Sequence, residues 1–312
     1  MHSPVTLQNI CNFFSVGEIV DSVYLGNWGN HNYFIDTQNG SFVLKIIAAQ
    51  AGILERVQSE ISYITYLIEH DIEVPPYYCN TQGECLYAYD NVYALLRPKI
   101  DGLILSKVQV GTEHLFKIGS RLAQLHSCPV PTVLPPRRCW LSEDAVLDAR
   151  RQIREQYPAS AFPLVEHPVL ETDWSTYPAT IIHGDCWYSN ILVSPSNQVT
   201  LIDWEEVSIN PAVLDIGRTL YSLIEANMID ADSYQAFISG YEGRRKLSWE
   251  EKQHIAQSMK YTAITTLLWR QVRFFNTTTP YDIEQSAWYT KNLEKWQPPQ
   301  ADTQLHQTSK SG

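Results

Sequence analysis

The stretch TIIHGDCWYSNILVSPSNQVTLIDWEEV, Thr180–Val207, carries two short apolar runs, Ile191-Leu192-Val193 and Val199 with Leu201-Ile202. Between them lies the turn-rich Ser194-Pro195-Ser196-Asn197-Gln198, so the segment reads as a β-hairpin. Such a hairpin sets Asn190 at the start of one strand beside Asp203 at the end of the other. Asp185 falls on the loop just ahead of it. Three oxygen-bearing side chains are therefore expected to converge.

Upstream of this stretch the chain is β-rich. Ile19 to Leu25 and Asn32 to Asp36 read as strands around the turn GNWGNHN, and YFIDTQNGSFVLKII is a hairpin turning at Asn39-Gly40. Val57, Ile61, Ile64 and Ile68 then recur at helical spacing ahead of Pro75-Pro76. Two further strands, Cys85 to Tyr89 and Val92 to Leu96, meet at Asp90-Asn91. Lys45, in the apolar strand FVLKI, needs a counter-charge, and Glu60 on the following helix is expected to pair with it.

From Asp101 the pattern turns helical. Leu115, Ile118, Leu122 and Leu125 form one apolar face, with Thr112 as the expected cap. A second helix spans about Ala145 to Glu155 and stops before Pro158. Asn210-Pro211 is expected to cap a third, and a long one runs from about Glu250 to Phe275. The fold class is α+β. Residues 1–98 form a five-stranded lobe with one helix after its third strand, 99–297 a larger helical lobe, and 298–312 a polar tail with little to bury.

Composition narrows the function. A formal net charge of −11 argues against nucleic acid. No apolar run approaches the roughly 18 residues of a membrane span, and MHSPVTLQNICNFF lacks the basic-then-apolar pattern of a secretory signal. The six cysteines are scattered without a CxxC, so reduced core thiols and a cytoplasmic location are expected.

Asp185 is a carboxylate able to take a proton from an incoming hydroxyl. Asn190 and Asp203 offer the hard oxygens that Mg²⁺ takes in small number beside phosphate. HGDCWYSN (His183–Asn190), LIDWE (Leu201–Glu205) and NPAVLDIGR (Asn210–Arg218), with LAQLH (Leu122–His126) and FVLKI (Phe42–Ile46), closely resemble the aminoglycoside phosphotransferase and choline kinase superfamily. Ordered motifs of that family run through nearly the whole chain except its last fifteen or so residues.

The resemblance implies a protein-kinase-like two-lobe fold and an ATP- and Mg²⁺-dependent transfer to a small-molecule hydroxyl. It makes Asp185 the catalytic base, Asn190 and Asp203 the metal ligands, and Lys45, oriented by Glu60, the contact to the ATP phosphates. Gly29, Asn30 and Asn32 take the part of the phosphate-covering turn, which here is not a GxGxxG. LLRPKIDG (Leu95–Gly102) becomes the hinge, with the Pro98 carbonyl and Ile100 amide facing adenine. His183 reads as fixing the loop, His126 as structural, and Asp215 as bracing the catalytic loop.

The acceptor is less determined. Trp187 and Tyr188 either line its pocket or pack, Glu205 and Glu206 either touch substrate or metal or face solvent, and Arg270 with Arg273 either clamp a carboxylate or are solvated. The segments NHNYFIDTQNGSFVLKI, LLRPKIDG and ISGYEGRRKLSWEE loosely resemble the homoserine-kinase-like branch, so an amino alcohol or homoserine-like amino acid is expected. Antibiotic phosphorylation and a catalytically silent nucleotide-binding module are the alternatives. The assembly is expected to be a monomer or homodimer.

Overall fold

A computed structural model of the chain describes residues 3–27, 30–89, 91–135, 137–156 and 163–273. Gly29, Asp90, Pro158, Phe275 and the 298–312 tail therefore lie outside the described residues.

Strands β1 (Ile19–Asn27), β2 (Asn30–Thr37), β3 (Gly40–Ile47), β4 (Tyr87–Tyr89) and β5 (Val92–Pro98) form one antiparallel sheet in the order β1-β2-β3-β5-β4. The alternation of β3 sends Phe42, Leu44 and Ile46 to one face and leaves Val43 and Lys45 on the other. In register, Lys45 sits between Asn32 of β2 and Leu95 of β5. Of the expected Asn39-Gly40 pair, only Gly40 carries a positive φ, at 140°.

The first apolar face is covered by a helix the sequence reading passed over, α1 (Pro4–Phe13). Its signals are Ser3, whose hydroxyl accepts from the Thr6 amide at 3.2 Å, and Pro4 at the first helical position. Ile10, Cys11 and Phe14 pack with Ile35, Leu44 and Leu96.

Helix α2 (Ile53–Glu69) joins the sheet to the rest. Its first half sets Ile53 and Val57 against Ile47 and Leu95, whereas Tyr63, Ile64 and Leu67 enter the large core of the helical region. Ile68, placed on the buried stripe by spacing, is 43% exposed.

That larger region holds α3 (Thr112–His126), α4 (Glu143–Gln156), α5 (Ala212–Glu225), α6 (Ala231–Glu242) and α7 (Trp249–Arg273). Helix α5 is buried from Ala212 to Leu223, and its polar stripe of Asp215, Arg218, Thr219 and Ser222 is buried with the rest. Strands β6 (Leu103–Ile104), β8 (Ile191–Val193) and β9 (Val199–Leu201) make a small antiparallel sheet, and β7 (Ala179–Ile182) pairs with β10 (Ser208–Pro211).

Three local expectations change. Helix α3 is capped by Gly111, whose amide donates to His114 Nδ1 at 3.1 Å, so Thr112 is the first helical residue and not the cap. Asn210 and Pro211 belong to β10, opposite Thr180 and Ala179, and helix α5 starts only at Ala212. Cys79 and Cys85 form a disulfide across a six-residue separation, although no CxxC marks it. The thiols of Cys11, Cys128, Cys139 and Cys186 are free and buried, as core packing requires.

Candidate active site

The hairpin forms in the expected register, with Ile191 opposite Leu201 and Asn197 in the left-handed region at its turn. One further bond, from the Ile202 amide to the Asn190 carbonyl at 2.9 Å, extends the pairing past both strand ends. Asp203 follows at once with φ of 64°. An L-residue there is strained by about 1–2 kcal/mol, which Asp tolerates better than most. This turn aims its carboxylate toward the sheet, where Lys45 Nζ meets Asp203 Oδ1 at 2.8 Å and Glu205 Oε2 at 2.7 Å.

The carboxyl-terminal end of β7 leads into the loop bearing Asp185. Gly184 has φ of 79°, and a Cβ there would fall onto the Glu206 carbonyl, so only glycine fits. Asp215, on α5, braces this loop from below. It accepts from the His183 amide at 2.7 Å, the Gly184 amide at 2.9 Å and His126 Nε2 at 3.1 Å. Burial opposes the Asp215 charge, but His126 and His183 outweigh it and hold the carboxyl below the ordinary carboxylate range.

His183 is wholly buried, and desolvation lowers its pKa, so the ring is neutral near pH 7. Nε2 donates to the Ile202 carbonyl at 3.0 Å while Nδ1 accepts the Asp185 amide at 3.2 Å. With both ring nitrogens engaged, the imidazole ties the loop to the hairpin. Both roles, for His183 and for Asp215, are those expected from the sequence.

Asp185 thus stands over the hairpin with both oxygens engaged. Asn190 Nδ2 donates to Oδ2 at 3.0 Å and to the Asp185 carbonyl at 2.9 Å. Arg218 donates to Oδ1 from Nη2 at 2.5 Å and from Nε at 3.1 Å. Arg218 closes the motif NPAVLDIGR, and nothing in the sequence assigns it a role. No local pattern could have placed it, since thirty-three positions separate it from Asp185.

Burial works against the Lys45 charge, yet Asp203 and Glu205 outweigh it and raise the ammonium well above its usual range. Asp203 is correspondingly lowered, burial being overcome by Lys45. The expected Lys45–Glu60 ion pair is replaced. Glu60 accepts from the Tyr77 hydroxyl and lies 3.6 Å from Arg97, while still adding to the charge that keeps Lys45 protonated.

Asn30, on β2, donates to Glu205 at 3.0 Å, and Asn32 lies beside Lys45 in the ladder. Pro98 closes β5, and Ile100 lies two residues on. Lys45, Glu60, Glu205, Glu206 and Arg56 line one cleft. Trp269 and Arg273 form part of its wall, and Arg270 does not line it. Trp187 is 9% exposed and stacks on Arg218, while Tyr188 packs partly buried with its amide on Ser222. Glu206, expected to reach ligand or solvent, instead bonds Arg56 at 2.6 Å and the Trp140 amide at 3.2 Å.

Among the described residues, no three His, Cys, Asp or Glu side chains gather as a metal cage. The donor set nevertheless suits Mg²⁺, which keeps waters and phosphate oxygens and asks little of the protein. Asn190 spends its amide nitrogen on Asp185, which leaves the amide oxygen as a ligand, and the Asp203 side chain is 42% exposed.

Residues 22–249 match the phosphotransferase enzyme family, and the chain belongs to it. It is a phosphotransferase with the protein-kinase-like fold. A homoserine kinase of Polaromonas naphthalenivorans (strain CJ2) is 22% identical over 236 residues, 73% of this chain and 73% of that one. Among solved structures, an amicoumacin kinase in complex with AMP-PNP and Ca²⁺ superposes with a TM-score of 0.71 at 15% identity, covering 96% of this chain and 95% of that one. A microcompartment-associated aminopropanol kinase does so with a TM-score of 0.68 at 14% identity, covering 93% and 95%. Among the described residues no helix is long and apolar enough to cross a membrane.

Proposed function

We propose that this enzyme transfers the γ-phosphoryl group of ATP, with Mg²⁺, to the hydroxyl of a small amino alcohol or homoserine-like amino acid. The observation that carries the reading is the juxtaposition of Asp185, Asn190, Asp203 and Lys45 around one hairpin. In this reading Asp185 Oδ2 takes the acceptor proton as the acceptor oxygen bonds to phosphorus and the bond to ADP breaks. Lys45 leaves its carboxylate partners to hold phosphate, and Pro98 and Ile100 receive adenine at the hinge between the lobes. Asn30 and Asn32 cover the phosphates. Asn190 and Asp203 would hold Mg²⁺, which supplies charge neutralisation on the phosphates. Catalysis is then mostly positioning.

The homoserine kinase relative supports an amino-acid or amino-alcohol acceptor. Arg273, on the cleft wall, is available for a carboxylate. The test is a panel of hydroxylated amino acids, amino alcohols, sugars and aminoglycosides with labelled ATP and Mg²⁺. A hydroxylated amino acid or amino alcohol should be labelled, and Asp185→Asn should abolish labelling while ATP affinity stays within about threefold. Labelling of aminoglycosides alone would reject the acceptor class, and full activity in Asp185→Asn would reject the base.

A further inference from the structure

We propose that Arg218 is the positioning residue of the base: a guanidinium clamped between two indoles that holds one oxygen of Asp185 and so presents the other to the acceptor. The inference rests on the reading of Asp185 as the base.

Arg218 is 7% exposed, one turn beyond Asp215 on α5. Its Cζ lies 4.0 Å from the ring centroid of Trp187 and 4.5 Å from that of Trp140, both well inside cation–π range. Nη1 donates to Thr266 Oγ1 on α7 at 2.7 Å, and that hydroxyl in turn donates a hydrogen bond to the Thr262 carbonyl at 2.6 Å. The lone pairs of Thr266 therefore face the guanidinium. Four parts of the chain (the Trp140 loop, the Trp187 loop, α5 and α7) fix one planar cation in place.

How the cation is used is informative. An arginine serving only to neutralise a carboxylate does best as a fork, one N–H to each oxygen. Here Nε and Nη2 both converge on Oδ1. Oδ2 is left to the Asn190 amide and to the acceptor. Such an arrangement fixes the carboxylate rotamer at the cost of the better pairing. In a loose phosphoryl-transfer transition state the acceptor oxygen has formed little bond, so the direction of the base matters more than its strength. A lysine in this place would supply a point charge without the plane that the indoles hold.

The variants are Arg218→Ala and Arg218→Lys, assayed with the acceptor that the panel identifies. Misplacing the base should lower kcat about 100-fold in the alanine variant while the ATP KM moves less than about threefold. The lysine variant should recover little of this. Because the socket is built for guanidinium, free guanidinium below denaturing concentration should restore kcat about tenfold or more in Arg218→Ala. Equal concentrations of urea or sodium chloride should not, and neither should guanidinium in the Arg218→Ala/Trp187→Ala double variant. A crystal structure of Arg218→Ala gives a readout that needs no acceptor, and in it the Asp185 carboxylate should have left its present position.

Should the alanine variant not fold, Arg218→Gln keeps a side chain between the indoles and is read in the same way. A kcat within about twofold of the unsubstituted enzyme, or an unmoved Asp185, overturns the proposal. Asp185→Asn, run alongside, separates the two claims. If it is inactive while Arg218→Ala is active, only the role of Arg218 falls. If both are active, the assignment of the base falls too.

Discussion

Glu206 is a carboxylate pulled in opposite directions. Burial pushes its pKa up to about 7, against Arg56 at 2.6 Å, which favours the charge. Glu205 and Asp185 add like-charge repulsion, and the Trp140 amide opposes it. The folded state therefore binds a proton more tightly than the unfolded chain, whose carboxyl lies near the ordinary value of 4.5. Folding draws stability from this group below that value and loses it as pH rises toward about 7. Glu206→Gln cannot titrate, so its stability relative to the unsubstituted enzyme should improve between pH 5 and pH 8, measured by urea unfolding at each pH. A difference in stability that does not change with pH would show that Arg56 keeps Glu206 charged throughout. At this scale the sequence named Asp185, Asn190, Asp203 and Lys45 because each sits at a fixed offset from a strand or turn. It missed Arg218 and paired Lys45 with Glu60, since offsets say nothing about which distant charge arrives first.

Helices α3 and α6 cross with their backbones almost in contact. A methyl at Gly119 would fall onto the Phe237 carbonyl, and one at Gly240 onto that of Phe116. This crossing matters to the site because α3 ends at His126, which bonds both Tyr241 of α6, at 2.8 Å, and Asp215. Gly119→Ala forces the helices apart and should cost about 1–3 kcal/mol, seen as a lower urea midpoint at unchanged m. Activity per folded molecule should fall as well if the shift reaches Asp215 through His126. Unchanged stability would mean that α6 slides freely on α3. The existence of α3, α4, α5 and α7 was legible from 3.6-residue periodicity, whereas α6 went unread. Element ends were not legible. Thr112, Asn210 and Pro211 have the chemistry of helix starts, but the Gly111–His114 bond and the β7–β10 ladder decide where the helices begin.

Three ties run from the sheet and α2 to the segment 203–206: Lys45 to Asp203 and Glu205, Asn30 to Glu205, and Arg56 to Glu206. They meet where the phosphates of ATP are proposed to lie. Binding therefore has to exchange the Lys45 bonds for phosphate ones and reseat this seam. A ligand at 100 times its Kd stabilises the folded state by about 2.7 kcal/mol, so ATP with Mg²⁺ should raise the Tm of the enzyme measurably. Lys45→Met should remove most of that rise, and Asp203→Ala should remove its dependence on Mg²⁺. An equal rise in Lys45→Met would place the phosphates elsewhere.

The sequence by itself determined the five amino-terminal strands, the helices α2, α3, α4, α5 and α7, the hairpin that brings Asn190 to Asp203, and the loop that carries Asp185. These are local properties, set by side-chain period, turn residues and apolar runs over a few positions. Tertiary structure alone decided the partners: Arg218 between two tryptophans on Asp185, Lys45 on Asp203 and Glu205, Glu60 on Tyr77 and Arg97, and Cys79 bound to Cys85. A buried charge takes whichever opposite charge or donor the packing brings within reach, and that choice is made by the crossing of elements far apart in the chain.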